Sequence, residues 1–504
     1  MTAPLRYLCL SDLHLGGSHS LLTSREGNAT PKASEVLTAL CECMRSLVSR
    51  CGHEERRPTL ILAGDLLELA LASDEYSAIV FQQFMEVVMA PGEEIFDQIW
   101  FLPGNHDHHL WEAAREAQYA SFLEEYEGQE IPHPRFMTRM FYDHQEHAAI
   151  SPLLTALLRR ARRAAASASL ASSAVSAALT ASPSANSAAA KPDESSIPVI
   201  YPNLAVRKDD RFVLFSHGHY IESAYQLLTN LNTILFGAPA PPSISALEEG
   251  NFAWIDFFWS VLGRAGDPGE RVQYVYDRLR SPENRKDLIH AVSTNLALLI
   301  KNRTRFDSLE DRMQHQVVEM ILTQIANWGS TIGRQTYYGG KGPAEAHNQG
   351  LEEYLSAYVL PQLADECAIF AEKDARETPA ETTFVFGHTH HPFVRSAQPV
   401  KGHNTPVAVF NTGGWIHETK ELQQQIGASL VVVDEDLNVA AIELYREVSS
   451  LASDYPRVAE ASDADEPHEH SALWHSLKGA LSQDADVWRD LTSRIATRLT
   501  ASGE

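Results

Sequence analysis

Long apolar runs, paired cysteines and an excess of positive charge are all missing from this 504-residue chain. No stretch approaches the ~18 to 20 consecutive apolar residues that a helix needs to span a bilayer. The opening MTAPLRYLCLSDLHL has no basic segment followed by a long apolar one, so no signal peptide is expected and a cytoplasmic location is the default. Five cysteines (Cys9, Cys41, Cys43, Cys51 and Cys367) are few, odd in number and never spaced as CxxC. They read as small buried or surface thiols in a reducing compartment, not as a disulfide framework. Lys and Arg number 41 against 66 Asp and Glu, giving a net charge of −25 and a pI near 5.3. That balance argues against a nucleic-acid-binding surface, which needs basic patches to meet phosphates. Small phosphate substrates stay open, because bound metal ions can supply local positive charge.

What is present is ordinary for a soluble globular protein: 44% hydrophobic and 21% charged residues, enough chain for one large domain or two. Leu5 to Leu10, Thr59 to Ala63 and Ile99 to Leu102 read as buried strands. Between them, Ala33 to Val48 and Tyr76 to Met89 carry apolar residues at helical spacing. Strand, helix, strand, helix, strand predicts right-handed crossovers and a largely parallel sheet. From about residue 161 to 190 the composition collapses to Ala and Ser with no apolar stripe, which predicts a disordered or loosely helical excursion. Arg211 to Phe215 and Thr382 to Phe386 resume the strand pattern, followed by Val407 to Phe410, Ser429 to Val433 and Ala440 to Tyr445. The stretch between Tyr220 and Lys373 reads as helical, with segments at 226–236, 253–262, 288–300 and 315–328. Beyond Arg446 the chain is polar and acidic, with one helical segment near Trp474 to Leu481, and reads as a surface tail or peripheral helix.

The chemistry gathers at strand ends. Asp12-x-His14, Gly64-Asp65, Gly104-Asn105-His106-Asp107, His217-Gly218-His219 and Gly387-His388-Thr389-His390 each follow an apolar run. In α/β folds the carboxyl ends of strands line one edge, so motifs far apart in sequence converge there. Imidazole, carboxylate and amide donors without thiolate suit Mn, Fe, Zn, Co or Ni. One carboxylate can bridge two such ions, and neighbouring glycines allow close backbone approach.

In order, identity and glycine placement these blocks resemble those of the calcineurin-like metallophosphoesterase superfamily. The resemblance covers the motifs between Asp12 and His390 and implies an α/β fold of two facing mixed β-sheets flanked by helices, here with a helical insertion. It implies two divalent metal ions, the first held by Asp12, His14, Asp65 and His390. The second would be held by Asp65, Asn105, His217 and His388. His106 would be the catalytic histidine and Asp107 the carboxylate that orients it, with a metal-bridging hydroxide attacking phosphorus. His219 would support the site or touch substrate, with His108, His109 and His391 as weaker substrate-contact candidates. His19, His133, His144, His147 and His403 read as surface residues.

The sequence divides into a core in three parts (1–160, 196–219 and 381–446), an Ala/Ser-rich low-complexity excursion at 161–195, a helical insertion at 220–380 that is a candidate cap for the site, and an acidic C-terminal tail or peripheral helix at 447–504. The expected reaction is hydrolysis of a small phosphate ester, diester or anhydride. Ser11 to Leu15, Gly64 to Glu68, Gly387 to Pro392 and Phe410 to Trp415 further resemble the branch containing UDP-2,3-diacylglucosamine pyrophosphatases. That branch departs by carrying Arg at the position of His106 and Asp at that of His219. The other readings are a lipid pyrophosphatase, a nuclease and a metal-binding scaffold without catalysis. Asn251 to Trp259, rich in aromatics, reads as core packing in preference to an acyl or membrane surface.

Overall fold

A computed structural model gives the fold. It describes residues 3–503 except 178–195, 257–349, 372–380, 449–454, 462–469 and a few short breaks elsewhere. The strands in chain order are β1 (Leu5–Leu10), a small hairpin of β2 (Thr23–Ser24) and β3 (Lys32–Ala33), β4 (Thr59–Ala63), β5 (Gln98–Leu102), β6 (Ala149–Ile150), β7 (Pro198–Val199), β8 (Asn203–Lys208), β9 (Arg211–Ser216), β10 (Glu381–Phe386), β11 (Phe393–Pro399), β12 (Pro406–Asn411), β13 (Gly427–Asp434), β14 (Val439–Arg446) and β15 (Arg457–Glu460). They build an eight-stranded sheet, β15-β14-β13-β1-β4-β5-β7-β6, and a five-stranded sheet, β11-β12-β10-β9-β8. Strands β1, β4 and β5 run parallel, as do β9, β10 and β12, while β13 is antiparallel to β1.

Alternation along the strands explains the layering, because successive side chains face opposite sides of a sheet. Tyr7, Cys9, Ile61, Ala63, Trp100 and Leu102 point from the larger sheet toward Val213, Phe215, Val385 and Phe410 of the smaller one. The intervening residues, Leu8, Leu10, Leu60, Leu62, Ile99 and Phe101, face α1 (Glu35–Cys51) and α2 (Asp74–Val88). Ser34 and Ser73 cap these two helices by accepting from the amides of Leu37 and Tyr76. The result is helices, sheet, sheet, helices. This is the expected architecture of two facing mixed sheets flanked by helices.

Three expectations need correction. The first part of the Ala/Ser tract continues a regular helix, α4 (Pro152–Ala177), which follows α3 (His109–Glu125). Leu154, Leu158 and Ala161 of α4 are buried, and alanine's high helix propensity carries the helix onward; 178–195 lies outside the described residues. In the insertion, α5 (Leu227–Phe236) is tied to α6 (Ile244–Ile255) by Asn251 Nδ2 donating to Thr229 Oγ1, and α6 with residues 350–371, ending in α7 (Leu360–Ala371), forms the helical layer of the smaller sheet. Ile244, Leu247, Ile255, Leu351 and Leu355 pack on Phe212, Leu214, Phe384 and Phe386, so these segments are core as well as insertion. Asn251, Phe252 and Ile255 are buried, whereas the helices predicted at 288–300 and 315–328 fall outside the described residues.

The third correction concerns the C-terminus. Strand β15 extends the larger sheet, and α8 (Ala472–Gln483) and α9 (Ala485–Gly503) follow it. Leu473, Leu477, Trp488, Leu491, Ile495 and Leu499 join the same apolar cluster as Leu40, Met44 and Leu47 of α1. Asp484 accepts from Arg50 at 2.8 and 2.9 Å and from Ser46 at 2.7 Å, fixing the α8–α9 corner to α1. Spacing of three, four and four between Trp488, Leu491, Ile495 and Leu499 is an amphipathic signature that outweighs the polar composition around it. Among the described residues no helix is long and apolar enough to cross a membrane.

Candidate metal centre

The strand-end motifs meet at one edge of the sandwich. Asp12 and His14 follow β1, Asp65 follows β4, and Asn105 and His106 follow β5 of the larger sheet; His217 follows β9, and His388 and His390 follow β10 of the smaller. Asp12 (φ 52°), His14 (45°), Asp65 (48°), His388 (66°) and His390 (55°) all adopt the left-handed region; Asp209 and Leu437 are the other non-glycine residues there among those described. Such backbone costs an L-residue roughly 1 to 3 kcal/mol and persists where the surroundings over-determine it. Here the pins are visible: Asp12 N donates to Gly64 O and His14 N to Asp65 O, both at 2.9 Å, and His388 N donates to Asp12 Oδ2 at 2.9 Å. A Cβ at Gly104 would lie 2.2 Å from Asp65 Oδ1, so only glycine admits that carboxylate.

Two groups of donors result. Ligand atoms of Asp12, His14 and His390 lie within 4.8 Å of one another, and so do those of Asp65, His217 and His388. Asp65 Oδ2 stands between them, 3.7 Å from His14 Nε2 and 3.4 Å from His217 Nε2. Asn105 Oδ1 lies 3.0 Å from His217 Nε2, and His390 Nε2 lies 3.3 Å from Asp12 Oδ1. His14 Nε2 is buried without a hydrogen-bond partner, a costly state for a polar atom that a cation would relieve. All donors are nitrogen or oxygen. The residues therefore fit borderline divalent ions.

The far side of each ring is held by oxygen. His14 Nδ1 is 2.8 Å from Glu68 Oε2, and His217 Nδ1 is 3.1 Å from the Ala63 carbonyl. Glu68 also places Oε1 2.8 Å from Nδ1 of His106. This corrects the part expected of Asp107. Its Oδ2 accepts from the amides of Leu66 (2.7 Å) and Leu67 (3.2 Å), and its Oδ1 accepts from Gly104 N at 2.7 Å. The tight turn that opens α3 aims Asp107 at these amides, so it braces the Asp65 loop against the Asn105 loop while Glu68 orients His106. Glu68 was visible in the sequence as a lone acid within Leu66 to Ala72, a setting where a buried carboxylate needs partners.

Electrostatics follow from this packing. Burial disfavours charge on His106, but the carboxylates of Glu68 and Asp65 outweigh it and raise the ring to about 9. Burial and the neighbouring Asp65 push Asp107 up to about 7. Burial would raise Asp65 as well, yet His217 and His106 hold it well below the usual carboxylate range.

The remaining candidates are placed as follows. His219 is buried outside both donor groups; its Nε2 lies 3.3 Å from the Tyr201 hydroxyl and its ring stacks on Tyr201. Burial and His217 hold it well below its ordinary value. His108 and His391 are buried, His19 and His133 exposed, and His403 is half-buried beside the Ser356 carbonyl. His109, Glu112 and Asp256 form another donor group, in which burial and the neighbouring Asp256 raise the Glu112 carboxyl. Asn411 was not singled out by the sequence: its Nδ2 donates to Gly387 O and Thr389 Oγ1, both at 3.0 Å, and its Oδ1 accepts from Gly413 N at 2.8 Å, tying down the His388–His390 loop.

The family model of the calcineurin-like phosphoesterases matches residues 5–147. No curated protein matches the chain. The matched region contributes Asp12, His14, Asp65, Asn105 and His106, and the fold brings His217, His388 and His390 to them from beyond it. Residues 5–147 therefore match a calcineurin-like phosphoesterase domain, and that domain indicates a metal-dependent phosphoester hydrolase.

Proposed function

We propose that this enzyme hydrolyses small phosphate esters, diesters or anhydrides at a dinuclear centre. The observation that carries the reading is Asp65 Oδ2, placed between two donor groups at 3.7 and 3.4 Å from their imidazole nitrogens. Asp12, His14, Asp65 and His390 would hold one ion, and Asp65, Asn105, His217 and His388 the other. When bound, such ions supply Lewis acidity toward phosphoryl oxygens and acidify water enough to make it a nucleophile at neutral pH.

The chain's own residues supply the rest. Glu68 accepts from Nδ1–H of His106, and the protonated ring would use its other N–H, at Nε2, to donate to the leaving-group oxygen. The His106 side chain is 13% exposed while Glu68 is 6%, so substrate meets the imidazole and not the carboxylate behind it. Asp107 and Asn411 keep the loops at fixed spacing without touching substrate. A net charge of −25 supports a small substrate over a polynucleotide, since a long polyanion would be repelled outside the site.

The test is hydrolysis of bis-p-nitrophenyl phosphate and p-nitrophenyl phosphate by metal-stripped full-length protein with Mn²⁺ added back. Diester turnover restored by Mn²⁺ and abolished by Asp65→Asn is the expected result. Turnover of the monoester alone would move the substrate class to phosphomonoesters. Full activity of Asp65→Asn would end the dinuclear reading.

A further inference from the structure

The rings of His14 and His217 each have one nitrogen toward Asp65 and the other held by an oxygen behind. His388 repeats the arrangement with a partner from an unexpected place. Its Nδ1 lies 3.2 Å from His217 Nε2, and His217 Nε2 is the atom that faces Asp65 Oδ2 and Asn105 Oδ1. Nδ1 is therefore the His388 nitrogen turned toward the donors. On the opposite side, His388 Nε2 lies 3.4 Å from Glu222 Oε1, at ion-pairing distance without a hydrogen bond. Both side chains are 7% exposed.

Glu222 belongs to the segment inserted between β9 and β10, three residues after His219. Its placement is fixed by a short 3-10 turn, His219–Ile221, in which Glu222 N donates to His219 O at 3.1 Å. Gly218 permits the turn with φ 100°. Where the chain returns, a Cβ at Gly350 would fall 2.3 Å from Ile221 O, so the far end of the insertion closes directly behind this turn. The Tyr225 ring meets His388 edge-on at 5.2 Å and His219 at 5.5 Å.

We infer that Glu222 is a positioning residue for the second ion, holding His388 with Nε2–H toward its carboxylate and the Nδ1 lone pair toward Asp65 and His217. The inference rests on the ligand set proposed above. It gives the insertion a direct part in the metal centre: a carboxylate behind the ligand histidine fixes its tautomer and ring orientation, as Glu68 does for His14. The chemistry of the second ion thus depends on chain outside the region that the family model matches.

Mn²⁺ binding to metal-stripped full-length protein, followed by equilibrium dialysis and elemental analysis, tests this without reference to turnover. Wild type should take two equivalents, and His388→Ala should lose the second. Glu222→Ala should keep the first equivalent and its near-ultraviolet dichroism, with the second weakened about 10- to 100-fold. Glu222→Gln should retain most of that affinity, because its amide oxygen can still face Nε2–H. A Glu222→Ala protein that binds both equivalents as wild type does would overturn the inference. So would a Glu222→Gln protein as impaired as Glu222→Ala, which would make Glu222 itself a ligand. Loss of both equivalents with Glu222→Ala would make it a support of the fold instead. Two equivalents retained by His388→Ala would overturn the ligand set itself, a failure separable from that of Glu222.

Discussion

Glu68 Oε1 lies 2.8 Å from His106 Nδ1, and the other oxygen of the same carboxylate lies 2.8 Å from His14 Nδ1. One buried acid thus orients the proposed proton donor and a proposed metal ligand together. Replacing Glu68 with Ala should lower kcat on bis-p-nitrophenyl phosphate by about 100-fold, within the range that positioned acid–base groups contribute, with little change in KM. Steady-state kinetics at saturating Mn²⁺ reads the split. Unchanged kcat would return the orienting role to another group.

Asp107 should behave differently. Asp107→Ala leaves the amides of Leu66, Leu67 and Gly104 without their acceptor in a fully buried site. The cost is about 3 kcal/mol or more, since each buried unsatisfied group costs about 1 to 3. Urea unfolding of the metal-free protein measures it, and a midpoint equal to wild type would contradict the bracing role.

Gly104→Ala places a methyl 2.2 Å from Asp65 Oδ1, displacing the carboxylate shared by the two donor groups. Mn²⁺ stoichiometry should fall while far-ultraviolet dichroism keeps its shape. Two tightly bound equivalents in this variant would show that Asp65 can move without loss.

The C-terminal helices are structural. Trp488 is 1% exposed in the cluster it shares with α1, so Trp488→Ala should destabilise the protein by about 3 to 5 kcal/mol. Ending the chain at residue 470 should expose Leu40, Met44 and Leu47 and yield aggregated protein in sedimentation velocity. A soluble, fully active truncation would restore the view of this region as a tail.

Chelation should lower the melting temperature as well as abolish turnover. Ions that bind only the folded state stabilise it by about 4 kcal/mol each at a thousandfold excess over Kd. Differential scanning fluorimetry with EDTA, then with Mn²⁺ returned, should show a reversible shift; Asp65→Asn should show a smaller one.

Much of the centre was legible before any coordinates. Asp12, His14, Asp65, Asn105, His217, His388 and His390 stand out because each follows an apolar run, and a strand's direction decides which edge its last residues reach. That is a local property, written in consecutive residues. The sandwich was legible for a related reason, since its strands are short apolar runs and its first helices carry a clean apolar stripe. The sequence by itself therefore determined which donors exist and at which edge they gather. Only the tertiary structure decided what stands behind them. A carboxylate's partners depend on where neighbouring loops cross, and the left-handed backbone at Asp65 and His388 turns side chains in directions that residue spacing does not encode. Asp107 faces amides, Glu68 takes the imidazoles, and Glu222 reaches His388 from an insertion that composition marks only as helical. The two C-terminal helices belong to the core for the same reason: apolar burial is settled by the surface that α1 leaves open, and average polarity along the chain carries no record of it.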